Sequence, residues 1–227
     1  MFKALIETLR PRQWTKNLVI FAGLIFDGQF LHQIPFLRVL ATALLFCLVS
    51  GVTYTVNDLL DAESDQQHPR KRNRPIASGR LSKRTAIMLV LVLSTISLIG
   101  GYLLSPNLAI IFIAYILLIL AYSLWLKKIM ILDVLIIAAG FVLRMLAGLS
   151  VITVAYFSPW LFVLTSLLAM YLAFGKRLAE LKLLEANAGN HRKTLDGYTE
   201  PLLNQYIMVI LTAILITRSE EHTSELQ

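Results

Sequence analysis

Cysteine is almost missing from this chain. The single Cys47 excludes any internal disulfide and lies inside an apolar run, where it reads as a small buried hydrophobe. Charge is scarce too: 15% of the 227 residues are charged, against about 25% in an average soluble domain. No cleavable signal is expected at the N-terminus, because residues 1–16 are amphipathic and basic with no small-residue cleavage site. No EF-hand pattern is present. What remains is apolar: 57% of the residues are hydrophobic and the mean hydropathy is +0.69. A soluble globular enzyme, a disordered tail and a disulfide scaffold are thereby excluded. An all-α, polytopic membrane helical bundle is expected, since each span needs roughly 20 apolar residues.

Seven apolar stretches are expected as spans, at about 17–34, 37–58, 83–104, 107–126, 129–152, 157–178 and 203–217. Acidic residues number 14 and basic ones 21, a net charge of +7. The basic excess does not point to nucleic acid, because of where it sits. Eighteen of the 21 Lys and Arg lie in the N-terminal arm and in every second connection, against Arg38 alone in the others. The positive-inside rule predicts a cytoplasmic N-terminus and two long cytoplasmic loops, about 59–82 and 179–202; the membrane expected is a bacterial-type plasma membrane. The outer connections are too short to host a site, so function is expected at the cytoplasmic mouth.

The ending is read separately. Residues 218–227, RSEEHTSELQ, match one translation frame of a widely used sequencing adapter, and the apolar run stops abruptly at Thr217. The expectation is a membrane domain over 1–217, C-terminally truncated, followed by a non-native tail that is left out of functional reasoning.

The second span runs out through Asn57, Asp58, Asp61 and Asp65. At 100° per residue the three aspartates fall on one helical face, with Tyr54 one turn earlier and Asn57 at the edge. Stacked carboxylates repel unless a cation bridges them. Oxygen ligands without His or Cys favour a hard cation such as Mg2+, which typically uses one or two carboxylates plus substrate phosphates. The plainer reading is a solvated helix end neutralised by the Arg/Lys run behind it. That run, His68–Pro75, contains Arg72 and Arg74 and suits a metal–phosphate substrate, or else an anionic lipid surface. The sixth span ends in Lys176, Arg177 and Glu180. These form a second half-site for phosphate or a plain i,i+4 ion pair. His191-Arg192-Lys193 before Tyr198 gives a weak lid or phosphate signal. Asp133 is expected near a cavity mouth, whereas Arg144, on the same face inside the fifth span, is expected in a hydrogen-bond network between helices.

The string N-D-x-x-D-x-x-x-D at Asn57–Asp65, with Arg74-Pro75, Gly79, Tyr122-Ser123 before Lys127, and Asp133, resembles the UbiA-type intramembrane prenyltransferase superfamily. The resemblance covers Thr8 to Thr217. Within it, RPRQWTKN at 10–17, the 57–79 segment and GKRLAEL at 175–181 look most like the decaprenyl-phosphate phosphoribosyltransferase branch. The resemblance implies a nine-span fold, of which this chain supplies about seven, with a cavity opening to the cytoplasm. It implies a Mg2+-assisted transfer of 5-phosphoribosyl from phosphoribosyl diphosphate to a polyprenyl phosphate, in cell-envelope biosynthesis. Asp58 and Asp61 would be the catalytic metal ligands, with Asn57 and Asp65 completing the set. Lys16, Arg72, Arg74, Lys127, Lys176 and Arg177 would meet phosphates, and Tyr54, Tyr122, Asp133 and Glu180 would line the substrate site. The family's aromatic prenyltransferases carry a second Asp-rich motif where this chain has Lys176-Arg177-x-x-Glu180. Prenyl transfer from a polyprenyl diphosphate to an aromatic acceptor is the first alternative. A secondary transporter, kept alive by Arg144, is the second.

Overall fold

The structure, a computed structural model, describes residues 2–69, 71–154, 159–185 and 197–224. Among the described residues there are nine α-helices and no strand. They are α1 (Phe2–Leu9), α2 (Ala22–Phe26), α3 (Gln33–Leu60), α4 (Ala62–Gln67), α5 (Lys83–Leu104), α6 (Pro106–Leu124), α7 (Leu132–Leu149), α8 (Pro159–Glu185) and α9 (Glu200–Ser224). Six of them, α3 and α5 to α9, are long and apolar enough to cross a membrane. They coincide with six of the seven expected stretches.

The first stretch, 17–34, is built differently. A 3-10 helix, Pro11–Phe21, runs into α2, and the run ends at Asp27-Gly28, where Gly28 takes φ 68°. A polar side chain followed by a left-handed glycine turns the chain before a single helix of spanning length is complete.

The chain divides into two compact units, Met1–Leu120 with Leu143–Ala155, and Ala121–Val142 with Tyr156–Gln227. In the first, α3 is central and packs on α5, α1 and the 3-10 helix. Phe46 of α3 meets Phe112 and Tyr115 of α6 edge-on, with ring centroids 5.5 and 4.8 Å apart. Such pairs are worth about 0.5–1.5 kcal/mol each beyond their buried area. Gly148 of α7 is required by close approach, because a Cβ there would lie 1.9 Å from the Ile20 carbonyl oxygen. Ser82 caps α5 by accepting from the Thr85 N–H at 3.1 Å. Pro106 opens α6, where a missing N–H costs nothing. Apolar side chains such as Leu91, Ile99, Leu103 and Leu117 are exposed on α5 and α6, a surface suited to hydrocarbon rather than water.

In the second unit α8 packs on α9. Phe174 and Tyr206 stack at 5.1 Å, with Leu203, Ile210 and Val134 buried around them. The helical backbone of α9 continues past Thr217 to Ser224, beyond the point where the apolar run ends.

Candidate functional site

Two polar clusters occupy the regions that the sequence singles out. In the first unit, α3 carries Asp58 at its end and α4 carries Asp65, both buried although charged. The single helix expected through Asp65 is interrupted: Asp61, with φ −88° and ψ 2°, ends α3 and starts α4. Asp61 turns to its own neighbour, accepting from Asn57 Nδ2 at 3.2 Å. The three-carboxylate stack therefore becomes a pair, Asp58 with Asp65. The pair converges on one nitrogen. Arg74 Nη1 donates to Asp58 Oδ1 at 3.0 Å and to Asp65 Oδ2 at 2.6 Å. Lys71 Nζ stands 3.6 Å from Asp65.

A further cation comes from the N-terminal arm. Arg10 donates to Asp58 Oδ1, and its guanidinium lies 5.1 Å from the Tyr54 ring centroid, a cation–π contact. Pro11 opens the 3-10 helix and disfavours right-handed helix for the residue before it. Arg10 takes the left-handed φ 52°, ψ 62° rather than the extended backbone usual before proline. Counting basic residues by loop missed Arg10 as a site member; the Arg10-Pro11 dipeptide was the available signal. An open groove of about 620 Å3, lined by Lys3, Arg10 and Arg12 among others, lies alongside. On the solvent side, Arg80 holds Glu7 with two nitrogens at 2.8 and 3.0 Å. The hydrogen bonds from Arg80 keep the Glu7 carboxyl below the usual glutamate range.

In the second unit, Asp133 sits fully buried in the first turn of α7. Asp133 Oδ2 accepts from Arg177 Nε at 2.8 Å, and Arg177 Nη1 donates to Glu180 Oε2 at 2.8 Å. Arg177 is therefore buried between two acids. Lys176, its neighbour, is 67% exposed and reaches Glu180 only at 3.9 Å, so the i,i+4 pair is the weaker of the two. Tyr198 donates to Asp133 Oδ1 at 2.8 Å and accepts from the Ile131 N–H at 2.8 Å. Burial, with the bond to Asp133, pushes the Tyr198 hydroxyl well above the ordinary phenol range. Ile131 has φ 69°, which a β-branched residue rarely adopts and which costs on the order of 1–3 kcal/mol.

Arg144 is held as a network, as expected. Its Nε donates to Asn17 Oδ1 at 2.9 Å and its Nη2 to Tyr115 Oη at 2.6 Å, with the Phe46 ring centroid 5.3 Å away. Asn17 in turn donates to Cys47 Sγ at 3.2 Å. Asn17 and Tyr115 are structural partners that no spacing in the sequence announced. Of the other expected residues, Lys16 and Arg72 are exposed, and Tyr122 and Lys127 are half-buried. His191-Arg192-Lys193 lies outside the described residues. Among the described residues, no group of three or more Asp, Glu, His or Cys is gathered as a metal site. The Asp58–Asp65 pair, however, offers two buried carboxylates aimed at one point.

Comparison with known proteins adds the lineage. The UbiA prenyltransferase family model matches residues 18–217. The decaprenyl-phosphate phosphoribosyltransferase of Mycobacterium tuberculosis is 32% identical over 93% of this chain and 71% of its own length. The enzyme of the same name from Mycolicibacterium smegmatis is 34% identical over 95% of this chain and 69% of its own. A solved UbiA homolog from Archaeoglobus fulgidus, bound to DMAPP and Mg2+, superposes with a TM-score of 0.78 at 17% identity, over 95% of this chain and 76% of that one. At that identity the likeness concerns the fold. With the family model spanning most of the chain and two relatives above 30% identity aligned over more than nine-tenths of it, this multi-span membrane transferase belongs to the UbiA prenyltransferase family.

Proposed function

We propose that the chain transfers 5-phosphoribosyl from phosphoribosyl diphosphate to a polyprenyl phosphate at the cytoplasmic face of the membrane. The observation that carries this reading is the basic end of α8. Where a prenyl-diphosphate enzyme of the family would place a second acidic motif, this chain has the exposed Lys176 and the buried Arg177. The names of the relatives at 32% and 34% identity support the same donor and acceptor. The distribution of Lys and Arg supports the cytoplasmic orientation. Membership of a transferase family leaves the transporter alternative without support.

The residues present fit a hard divalent cation. Asp58 and Asp65 are oxygen donors, both buried, and within hydrogen-bond reach of the same nitrogen. That suits Mg2+, which uses one or two carboxylates and fills its other positions with phosphate and water. Asp58 and Asp65 would hold it, with Asn57 and Asp61 at the margin, and it would neutralise the departing diphosphate.

The chain's own residues have the following parts. Arg10 and Arg74 hold the two carboxylates and are placed to turn to phosphate oxygens, for which the guanidinium fork is suited. Arg72, Lys16, Lys127, Lys176 and Arg177 supply further positive charge for donor and acceptor phosphates. In the transfer, the bond from ribose C1 to the diphosphate oxygen breaks and a bond from C1 to the lipid phosphate oxygen forms. The electron pair leaves with diphosphate. The attacking phosphate is already an anion, so no strong general base is needed, and catalysis rests on positioning and charge stabilisation. The isoprenoid lies along apolar helix faces such as those of α5 and α6.

The test offers the full chain, in detergent or lipid, two substrate pairs. One is labelled phosphoribosyl diphosphate with polyprenyl phosphates; the other is polyprenyl diphosphate with aromatic acids. Mg2+-dependent label transfer in the first supports the proposal, and transfer in the second alone overturns it in favour of aromatic prenylation.

A further inference from the structure

Ile131 is the strained residue of the second unit. It precedes α7 by one position and takes φ 69° with a β-branched side chain. Its N–H donates to Tyr198 Oη at 2.8 Å. An N–H has only a proton to give, so the tyrosine oxygen accepts there and spends its own proton on Asp133 Oδ1, also at 2.8 Å. The other carboxylate oxygen of Asp133 takes the Arg177 Nε. One hydroxyl thus ties the strained turn, the acid of α7 and the buried arginine of α8 into a single chain of hydrogen bonds.

The backbone delivers Tyr198 to this place. Gly197 takes φ 94°, and a Cβ there would meet Met130 Sδ at 3.0 Å. The ring is buried and stands edge-on to Phe174 at a centroid distance of 6.4 Å. Packing alone would be served by phenylalanine, without the cost of desolvating a hydroxyl. The hydroxyl is used instead to bridge the buried Asp133 carboxylate and the backbone N–H of the half-buried Ile131.

Resting on the phosphoribosyl-transfer reading, we propose that Tyr198 is a positioning residue whose hydroxyl fixes the Asp133 carboxylate, so that Arg177 is held at the angle in which it meets a phosphate of the donor. Without the hydroxyl, the carboxylate loses its partner on Oδ1 and holds Arg177 less firmly, leaving more of the guanidinium's orientation to Glu180. Donor binding suffers, while the reacting groups, held elsewhere, are unchanged.

The experiment uses the full chain in detergent with the variants Tyr198→Phe, Ile131→Gly, their combination, and Asp133→Asn. Tyr198→Phe is expected to raise KM for phosphoribosyl diphosphate about tenfold with kcat within about twofold, the pattern of lost ground-state binding. KM for the polyprenyl phosphate should not move. Glycine adopts φ > 0 without strain, so Tyr198→Phe should lower the thermal midpoint less in the Ile131→Gly background than in the parent, while the raised KM persists there. An unchanged KM in Tyr198→Phe, or a KM restored by Ile131→Gly, would mean that the tyrosine only pins the turn, and would overturn the proposal. If the parent itself transfers no phosphoribosyl, the proposed reaction falls, and with it the donor role of Arg177. The bridge is then judged by thermal unfolding alone: non-additive Tyr198→Phe and Asp133→Asn effects sustain it and additive ones refute it.

Discussion

The two polar clusters are built on opposite proportions. In the first unit two buried carboxylates, Asp58 and Asp65, are surrounded by Arg10, Lys71 and Arg74, each cation a quarter to a third exposed. In the second unit a single buried guanidinium, Arg177, lies between Asp133 and Glu180. The first cluster therefore has positive charge to spare at its rim, held by side chains with access to solvent. Under the proposed function, a divalent cation would replace them and release them to phosphates. The second has its positive charge fixed in place between two acids. Cations close to carboxylates are not equivalent: exposure decides which of them can exchange partners, because moving a buried charge leaves another buried charge unpaired.

The largest effect should come from removing the acid on which the first cluster turns. Asp58→Asn is expected to abolish Mg2+-dependent transfer, by at least a hundredfold, while the protein still inserts and folds. Initial rates against Mg2+ concentration check this, and near-parental turnover would refute the metal assignment. Next, Arg74→Met should lower stability by about 2–4 kcal/mol, because Asp58 and Asp65 lose their shared counter-charge. Millimolar Mg2+ should then restore the thermal midpoint more than it raises that of the parent. Equal Mg2+ responses in the two proteins would break the contrast between an exchangeable and a fixed cluster.

Lys176 sharpens the comparison from the other side. It is exposed and only loosely paired, so Lys176→Ala should hardly change stability. If it contacts the donor, apparent affinity for phosphoribosyl diphosphate falls about tenfold. Glu180→Ala should do the reverse, costing about 1–2 kcal/mol of stability through Arg177. Identical kinetics in parent and Lys176→Ala would remove the basic residue on which the choice of donor rests.

The smallest effect concerns the exposed Glu7–Arg80 pair. The folded-state pKa of Glu7 is depressed, so its contribution is present above the unfolded pKa of about 4.3 and is lost as pH falls through the folded value. Arg80→Gln should leave the midpoint near its parental value in acid and lower it slightly at neutral pH. A pH-independent difference would show that the pair contributes through packing alone.

Much of this was legible in the chain itself. Apolar runs of spanning length give six helices directly, because in hydrocarbon a backbone must satisfy its own hydrogen bonds. The acids at 58 and 65, the arginine at 74 and the basic end of α8 were also visible, since clustered charge at the end of an apolar run has few structural uses. Periodicity failed at Asp61: it assumes a continuous helix and cannot register the junction between α3 and α4 there. It failed at 17–34 as well, where hydropathy averages over Asp27-Gly28 but the backbone turns there.

By itself, then, the sequence determined the membrane-helical class, the family and the places where charge gathers, because these depend on composition, run length and short-range spacing. Only the tertiary structure decided the partners. It brought Arg10 to Asp58 across 48 positions, Tyr198 to Asp133 across 65 and Arg144 to Asn17 across 127. Such pairings are set by the packing of helices distant in sequence. That packing also fixes which of two adjacent cations, Lys176 or Arg177, is buried and which remains exposed.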